Sequence, residues 1–189
     1  MSYLFRCYAK LYDKFMKNFS LDDDTAVLSL IENGQKKIAD VGGGTGLTAD
    51  KLVKRGHVVT IIDPCRQMTE LAKKRNQSIR VINKSMPCEI NERFDIILIR
   101  DCLHHVRRQR ELIEFCIHML AEGGMVIVND FSPESWKAKI IFLFERICFE
   151  AIKPVSETKL LHYFAAAGLQ TELIRVNNRD YIVWGRKKE

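Results

Sequence analysis

Ile38-Ala39-Asp40-Val41-Gly42-Gly43-Gly44-Thr45-Gly46-Leu47 carries an apolar run straight into four glycines within five residues. The run reads as a buried strand, and the residues from Thr45 to Lys54 read as the helix that follows it. Glycine is required where a ligand comes against the backbone, because no Cβ intervenes, and where a tight turn needs positive φ. The N–H groups that open the next helix present partial positive charge to whatever binds there. About twenty residues further on, a second apolar run ends in Ile61-Ile62-Asp63, an acid at a strand tip placed to take both hydroxyls of a ribose. The order strand, glycine loop, helix, strand, acid points to a nucleotide-like ligand bound on an α/β sheet.

The rest of the chain keeps that alternation. Further strands are predicted at Arg80 to Ile82, Phe94 to Ile99, Met125 to Asn129, Gln170 to Val176 and Tyr181 to Trp184. Helices are predicted near Arg66 to Arg75, Gln109 to Leu120 and Ser156 to Ala167. Ser20-Leu21-Asp22-Asp23 resembles a capping box that opens a helix toward Ile31. Gly34, Gly56, Gly123 and Gly168 each follow an apolar-periodic segment, as helix-stop residues do. The last two strands are separated only by Asn177 to Asp180, too short for a parallel crossover, so they form an antiparallel hairpin. No repeat or internal boundary interrupts residues 1–189, which read as one domain with a helical cap over 1–35 and an insertion over 133–154.

Composition narrows the class. With 47% apolar and 29% charged residues the chain is that of an ordinary globular protein, and no apolar stretch approaches membrane-spanning length. The net charge of +6 is spread over short runs such as Lys73-Lys74-Arg75 and Arg107 to Arg110, which read as solvated surface rather than a nucleic-acid face. Six widely spaced cysteines without a C-x-x-C pair, and no signal-peptide core, imply reduced thiols, a cytoplasmic protein and no metal site.

Asp40 selects among nucleotide-like ligands. Gly44-x-Gly46-x-x-Ala49 fits a dinucleotide fingerprint, so a nicotinamide-dependent oxidoreductase is one reading. A carboxylate two residues before the loop would face the pyrophosphate, and like charges repel. S-adenosylmethionine has no phosphate, and its ammonium and sulfonium both favour a nearby carboxylate.

Asp40 to Gly46 resembles the first motif of class I S-adenosylmethionine-dependent methyltransferases. The resemblance continues through Asp63, through Phe94 to Val106 and through Leu120-Ala121-Glu122-Gly123-Gly124, and is greatest to the ubiquinone- and menaquinone-biosynthesis enzymes. It implies a Rossmann-like, mostly parallel seven-stranded sheet in the order 3-2-1-4-5-7-6, with strand 7 antiparallel and helices on both faces. It also implies S-adenosylmethionine as cofactor and methyl transfer to a small acceptor. Asp40, Gly42, Gly43, Gly44, Thr45 and Gly46 would hold the methionine end, Asp63 the ribose, and Pro64 and Met68 would lie near the adenine. Arg100 would meet the methionine part through its backbone, and Tyr12-Asp13 resembles a pair carried on a helix that closes over the cofactor. The family's Gly-Asp-Ala after strand 3 is here Asn83-Lys84-Ser85. Lys84 cannot accept a hydrogen bond, so adenine recognition would fall to Ser85 or backbone groups. That departure leaves open a non-catalytic cofactor-binding module.

His104 and His105, after strand 4, are the candidates for a general base, although a histidine there can also simply orient the loop. Acceptor selection is assigned to Trp136 to Lys153. There Trp136, Ile140, Leu143, Phe144 and Ile147 form an apolar stripe, with Phe142 and Phe149 beside the polar one. The expectation is a lid whose aromatics touch an apolar acceptor, a partner subunit or a membrane surface.

Overall fold

The computed structural model describes residues 23–148 and 152–187. In chain order the elements are α1 (Thr25–Ser29), β1 (Lys37–Val41), α2 (Leu47–Lys54), β2 (Val58–Ile62), α3 (Arg66–Arg75), β3 (Arg80–Ile82) and β4 (Phe94–Arg100). A 3₁₀ turn (Leu103–His105) leads to α4 (Gln109–His118), β5 (Leu120–Phe131), α5 (Trp136–Cys148), α6 (Glu157–Ala166), β6 (Leu169–Arg175) and β7 (Asp180–Lys187). The strands form one sheet in the order β3-β2-β1-β4-β5-β7-β6. β1 pairs in parallel with β2 and β4, and β7 runs antiparallel to both β5 and β6.

The period-2 alternation of the strands decides which helix covers which face. Ala39 and Val41 of β1, with Ile97 and Ile99 of β4, pack against Leu112 and Cys116 of α4 and Phe164 of α6. Ile38, with Ile96 and Leu98, packs on the other face against Ala49 and Leu52 of α2 and Val27 and Leu28 of α1. Both faces of the central strands are therefore buried, as a parallel sheet requires. α6 begins at Ser156, whose hydroxyl accepts from the Lys159 N–H, and the fully buried Tyr181 donates its hydroxyl to the Val155 carbonyl.

Four expectations need correction. Gly123 does not stop a helix: α4 ends at His118, and Gly123 lies inside β5 at φ 66°, beside the register shift between Phe94 and Ile96. An extra residue in a strand needs this kind of kink, and glycine supplies it. β5 therefore begins at Leu120 rather than Met125. α1 starts only at Thr25, and the Asp24 carboxylate, rather than capping it, takes Lys51 Nζ at 2.7 Å; Ser20 to Asp22 lie outside the described residues.

The fourth correction concerns α5. The face turned inward is Ala138, Ile141, Phe142 and Glu145, spaced three or four apart, and not the stripe of larger side chains. Trp136 is 67% exposed and Leu143 62%, whereas Phe142 is 8% exposed and meets Phe131 edge-on at 6.0 Å. Phe142 is thus a core residue of a small cluster over the carboxyl end of β5, and Phe149 lies outside the described residues. Phe142→Ala is expected to destabilise the protein by about 3–5 kcal/mol, as for other buried aromatics. Trp136→Ala and Leu143→Ala should each stay within about 0.5 kcal/mol of the parent. Urea denaturation of the three variants checks this, and equal losses would contradict the orientation of α5.

Candidate functional site

β1, β4 and β5 deliver their carboxyl ends to one edge of the sheet, where ligands bind in open α/β folds. The glycine loop closes this edge. The Gly42 N–H donates to Ile62 O at 2.8 Å and the Gly46 N–H to Gly43 O at 2.9 Å, so the loop turns back on itself before α2 begins. Each glycine is constrained by a different neighbour. A Cβ on Gly42 would run into the Cys102 sulfur. On Gly43 it would stand 2.5 Å from Asp40 Oδ2, and on Gly46 2.8 Å from the Ala72 Cβ. At Gly44, φ 53°, the nearest atom to a Cβ is the Gly42 carbonyl oxygen, 3.9 Å away. The first, second and fourth glycines make room for the protein itself, and Gly44 alone opens onto free space.

Asp40 lies beneath the loop, 2% exposed, and its Oδ2 has no hydrogen-bond partner among the described residues. Burial, opposed by Arg100 and reinforced by Asp63 and Asp24, pushes its pKa up to about 7. Asp40, Gly42, Gly43, Thr48, Arg100 and Asp101 line a crevice against the loop. The Arg100 side chain lies along this crevice. Its guanidinium donates to Thr48 Oγ1 at 2.9 Å and to the Asp23 carbonyl at 3.3 Å, and lies 3.5 Å from Asp101 Oδ2 and 3.8 Å from Asp24 Oδ2. Asp101 holds a left-handed φ of 48°, which Asp tolerates better than most residues. Burial, against Arg100 and with Asp130, pushes its pKa up to about 7 as well.

Asp63 accepts from the Gly44 N–H at 3.1 Å and the Cys65 N–H at 2.7 Å, and burial raises its pKa against these two bonds. It ties the second strand to the loop and retains lone pairs, since a carboxylate offers about four acceptor positions. Thr45 and Met68 are buried, and Pro64 is exposed at the turn between β2 and α3. Asn83 braces this corner by donating to the Asp63 carbonyl at 3.2 Å and Thr69 Oγ1 at 2.7 Å. Lys84 and Ser85 are exposed on the rim beyond β3, and Tyr12 and Asp13 lie outside the described residues. Burial pushes the Cys102 thiol well up, so it is protonated and no nucleophile.

The two histidines differ sharply. His104 is 0% exposed, with Nδ1 2.6 Å from Asp130 Oδ1 and Nε2 3.2 Å from Glu145 Oε2. Burial pulls its pKa down, but Asp130 first and Glu145 second overcome it and hold the value at about 10. While it holds that proton, the imidazole has no lone pair with which to take another. His105 is exposed, its ring 4.3 Å from that of His104. Crowding by protein atoms, then the His104 charge, push it down to about 4, leaving it neutral at physiological pH and weakly basic. Asp101, Asp130, Glu145 and Asp24 were not singled out in the sequence. Asp130 lies at the carboxyl end of β5, one residue before its last, and the rule that picked out Asp63 after β2 would have found it.

The sheet order, the antiparallel β7 and a glycine loop over a buried acid are those of the Rossmann-like methyltransferases. The profile of a family described as a methyltransferase domain matches residues 12–174, and the chain belongs to that family. A ubiquinone biosynthesis O-methyltransferase of Coxiella burnetii is 32% identical over 100 residues, covering 50% of this chain and 43% of the relative. The chain therefore spans less than half the length of that curated relative. Among solved structures, an O-methyltransferase family 2 protein of Planctomyces limnophilus in complex with apigenin superposes with a TM-score of 0.80 at 16% identity, covering 100% of this chain and 62% of the other. An N-methyltransferase of Bradyrhizobium japonicum in complex with S-adenosyl-L-homocysteine gives 0.67 at 16% identity, covering 92% and 87%.

Two predictions follow from the loop and Asp40. Gly44→Ala should leave the fold intact apart from left-handed strain of roughly 1–2 kcal/mol and obstruct ligand entry, whereas Gly46→Ala should perturb the packing of α2 on α3. Thermal melts of both variants read the difference. Asp40 has a folded pKa above its ordinary 3.8, so folding takes up a proton and stability falls as pH rises from about 4 to 7. Asp40→Asn removes that loss and should gain roughly 2–4 kcal/mol above pH 7 and little below pH 4. A pH-independent difference between variant and parent would show that Asp40 does not titrate this way.

Proposed function

We propose that this chain transfers a methyl group from S-adenosylmethionine to a small acceptor with an apolar body, in the crevice between the glycine loop and α5. The observation that carries the reading is the buried, unpartnered Asp40 Oδ2 beside the free space over Gly44. A phosphate in that space would face an acid, whereas an ammonium or sulfonium would meet the charge it needs. The residues fit the cofactor: Asp40 suits its amino group, Gly44 leaves room for its backbone, and Asp63 has acceptor positions left for ribose hydroxyls. The relatives support the same reading, one being an S-adenosyl-L-homocysteine complex and another holding the flat aromatic apigenin.

When bound, the cofactor supplies a methyl on a sulfonium, already activated for in-line displacement. The chain's own part is then orientation and exclusion of water. Arg100, anchored by Thr48 and Asp24, holds Asp40 and Asp101 in one charged wall. His104 stiffens the loop after β4 through Asp130, and His105 is the exposed neutral imidazole nearest it. On the acceptor side α5 presents Trp136, Ile140 and Leu143 outward, an apolar face for the acceptor or for a membrane surface that delivers it. No helix of the described residues is long and apolar enough to cross a membrane.

Calorimetry should show S-adenosylmethionine and S-adenosylhomocysteine binding and nicotinamide dinucleotides failing to bind. Because the cofactor meets ionised Asp40, affinity should fall about tenfold for each pH unit below about 7 and level off above it. Asp40→Asn should abolish the pH dependence together with most of the affinity. Labelled methyl transferred into a fractionated cell extract would identify the acceptor, and tight dinucleotide binding without S-adenosylmethionine binding would sink the assignment.

A further inference from the structure

We propose that His104, His105 and Glu145 form a binding site for a divalent transition-metal ion of the zinc type. The three residues come from two elements, the 3₁₀ turn after β4 and the inner face of α5, and each offers a ligand atom within 4.8 Å of the others. Two imidazoles and a carboxylate are an established protein donor set for such an ion, with the fourth position left to water or a ligand.

The His104–Glu145 contact argues for an ion rather than a plain pair. Nε2 and Oε2 lie 3.2 Å apart, yet neither has a hydrogen-bond partner among the described residues, and both atoms are buried from solvent. The two atoms are close enough to pair but are not aligned as a hydrogen bond, so the ring proton is poorly placed for the carboxylate. Two donors at about 2.0 Å from a common ion in tetrahedral array stand about 3.3 Å apart, which is the separation found. His105, exposed beside them, offers a ring nitrogen within 4.8 Å of both donors.

The surroundings of His104 are those of a metal-ligating histidine. Its other nitrogen, Nδ1, lies 2.6 Å from Asp130 Oδ1, and the second Asp130 oxygen accepts the His104 backbone N–H at 3.1 Å. A carboxylate on the far nitrogen fixes the tautomer and makes the near one a better donor. Phe131 and Phe142, each 5.5 Å from the ring, wall it off from water. On binding, the ion replaces the proton on His104 Nε2, which leaves to solvent, and two imidazole nitrogens and one carboxylate oxygen donate to it.

The test uses the whole purified chain, stripped with a chelator and then titrated with zinc chloride in two buffers of different ionisation enthalpy. The expected result is one zinc per chain with release of a proton. Cobalt(II) in place of zinc should give the visible absorption of a nitrogen- and oxygen-ligated ion without a thiolate charge-transfer band, and X-ray absorption on the zinc form should show two imidazoles. His105→Ala, at an exposed position, and Glu145→Gln should each weaken zinc by more than the roughly 10–100-fold that loss of an outer partner causes, with the melting temperature of the metal-free protein reported alongside. No zinc or cobalt uptake by the parent chain would overturn the proposal. So would a thiolate band, or affinity unchanged in both variants. None of these readouts depends on cofactor binding or methyl transfer, so the proposal stands or falls apart from the proposed activity.

Discussion

The site is organised by one steric exclusion: Asp40 Oδ2 occupies the volume that a side chain on Gly43 would need. A carboxylate can be buried at the tip of β1 only if the loop above it carries no Cβ, and the loop can turn so tightly only with glycine at its positive-φ positions. Desolvation of that acid is unfavourable on its own. The fold therefore carries at this edge an imbalance, a desolvated acid whose Oδ2 has no hydrogen-bond partner among the described residues, beside the open space over Gly44.

Arg100 governs how far that imbalance extends. Its guanidinium reaches Thr48 on α2, the Asp23 carbonyl ahead of α1 and Asp101 just past β4, so three segments meet at one cation. Around it stand Asp24, which also takes Lys51, and Asp40 and Asp101, whose pKa values burial pushes up against the pull of Arg100. A cation over Gly44 would act with Arg100 against that burial. The same logic operates a few residues on, where His104 is held between Asp130 and Glu145.

The sheet and its glycine loop were legible because their signals are local. A strand running into glycines, an acid at the next strand tip and a hairpin too short to cross over each constrain the chain within a dozen residues, and β1, β2, α3 and β3 fall where the pattern puts them. The buried face of α5 was not legible, for a physical reason. Large apolar residues mark a buried stripe only when the buried face is made of them; here it is made of Ala138, Ile141, Phe142 and Glu145. Glu145 looks like a surface acid until a histidine forty-one residues earlier (145 − 104) is folded against it. The side-chain course of Arg100 was hidden for the same reason, since its partners lie in three separate segments.

The position of β7 has a consequence for how the protein is made. β7 follows β6 in the chain but lies inside it, between β5 and β6. During vectorial synthesis β6 has no neighbour to pair with until β7, the strand that joins it to the sheet, has followed it out of the ribosome. Every pairing from β3 to β5 is available by then, including the one that carries the glycine loop. The nascent chain thus has a nearly assembled binding edge beside an unpaired β5, whose free flank stays exposed until residues 180–187 close over it. Chaperone dependence during translation would concentrate in that interval, between completion of β5 and arrival of β7.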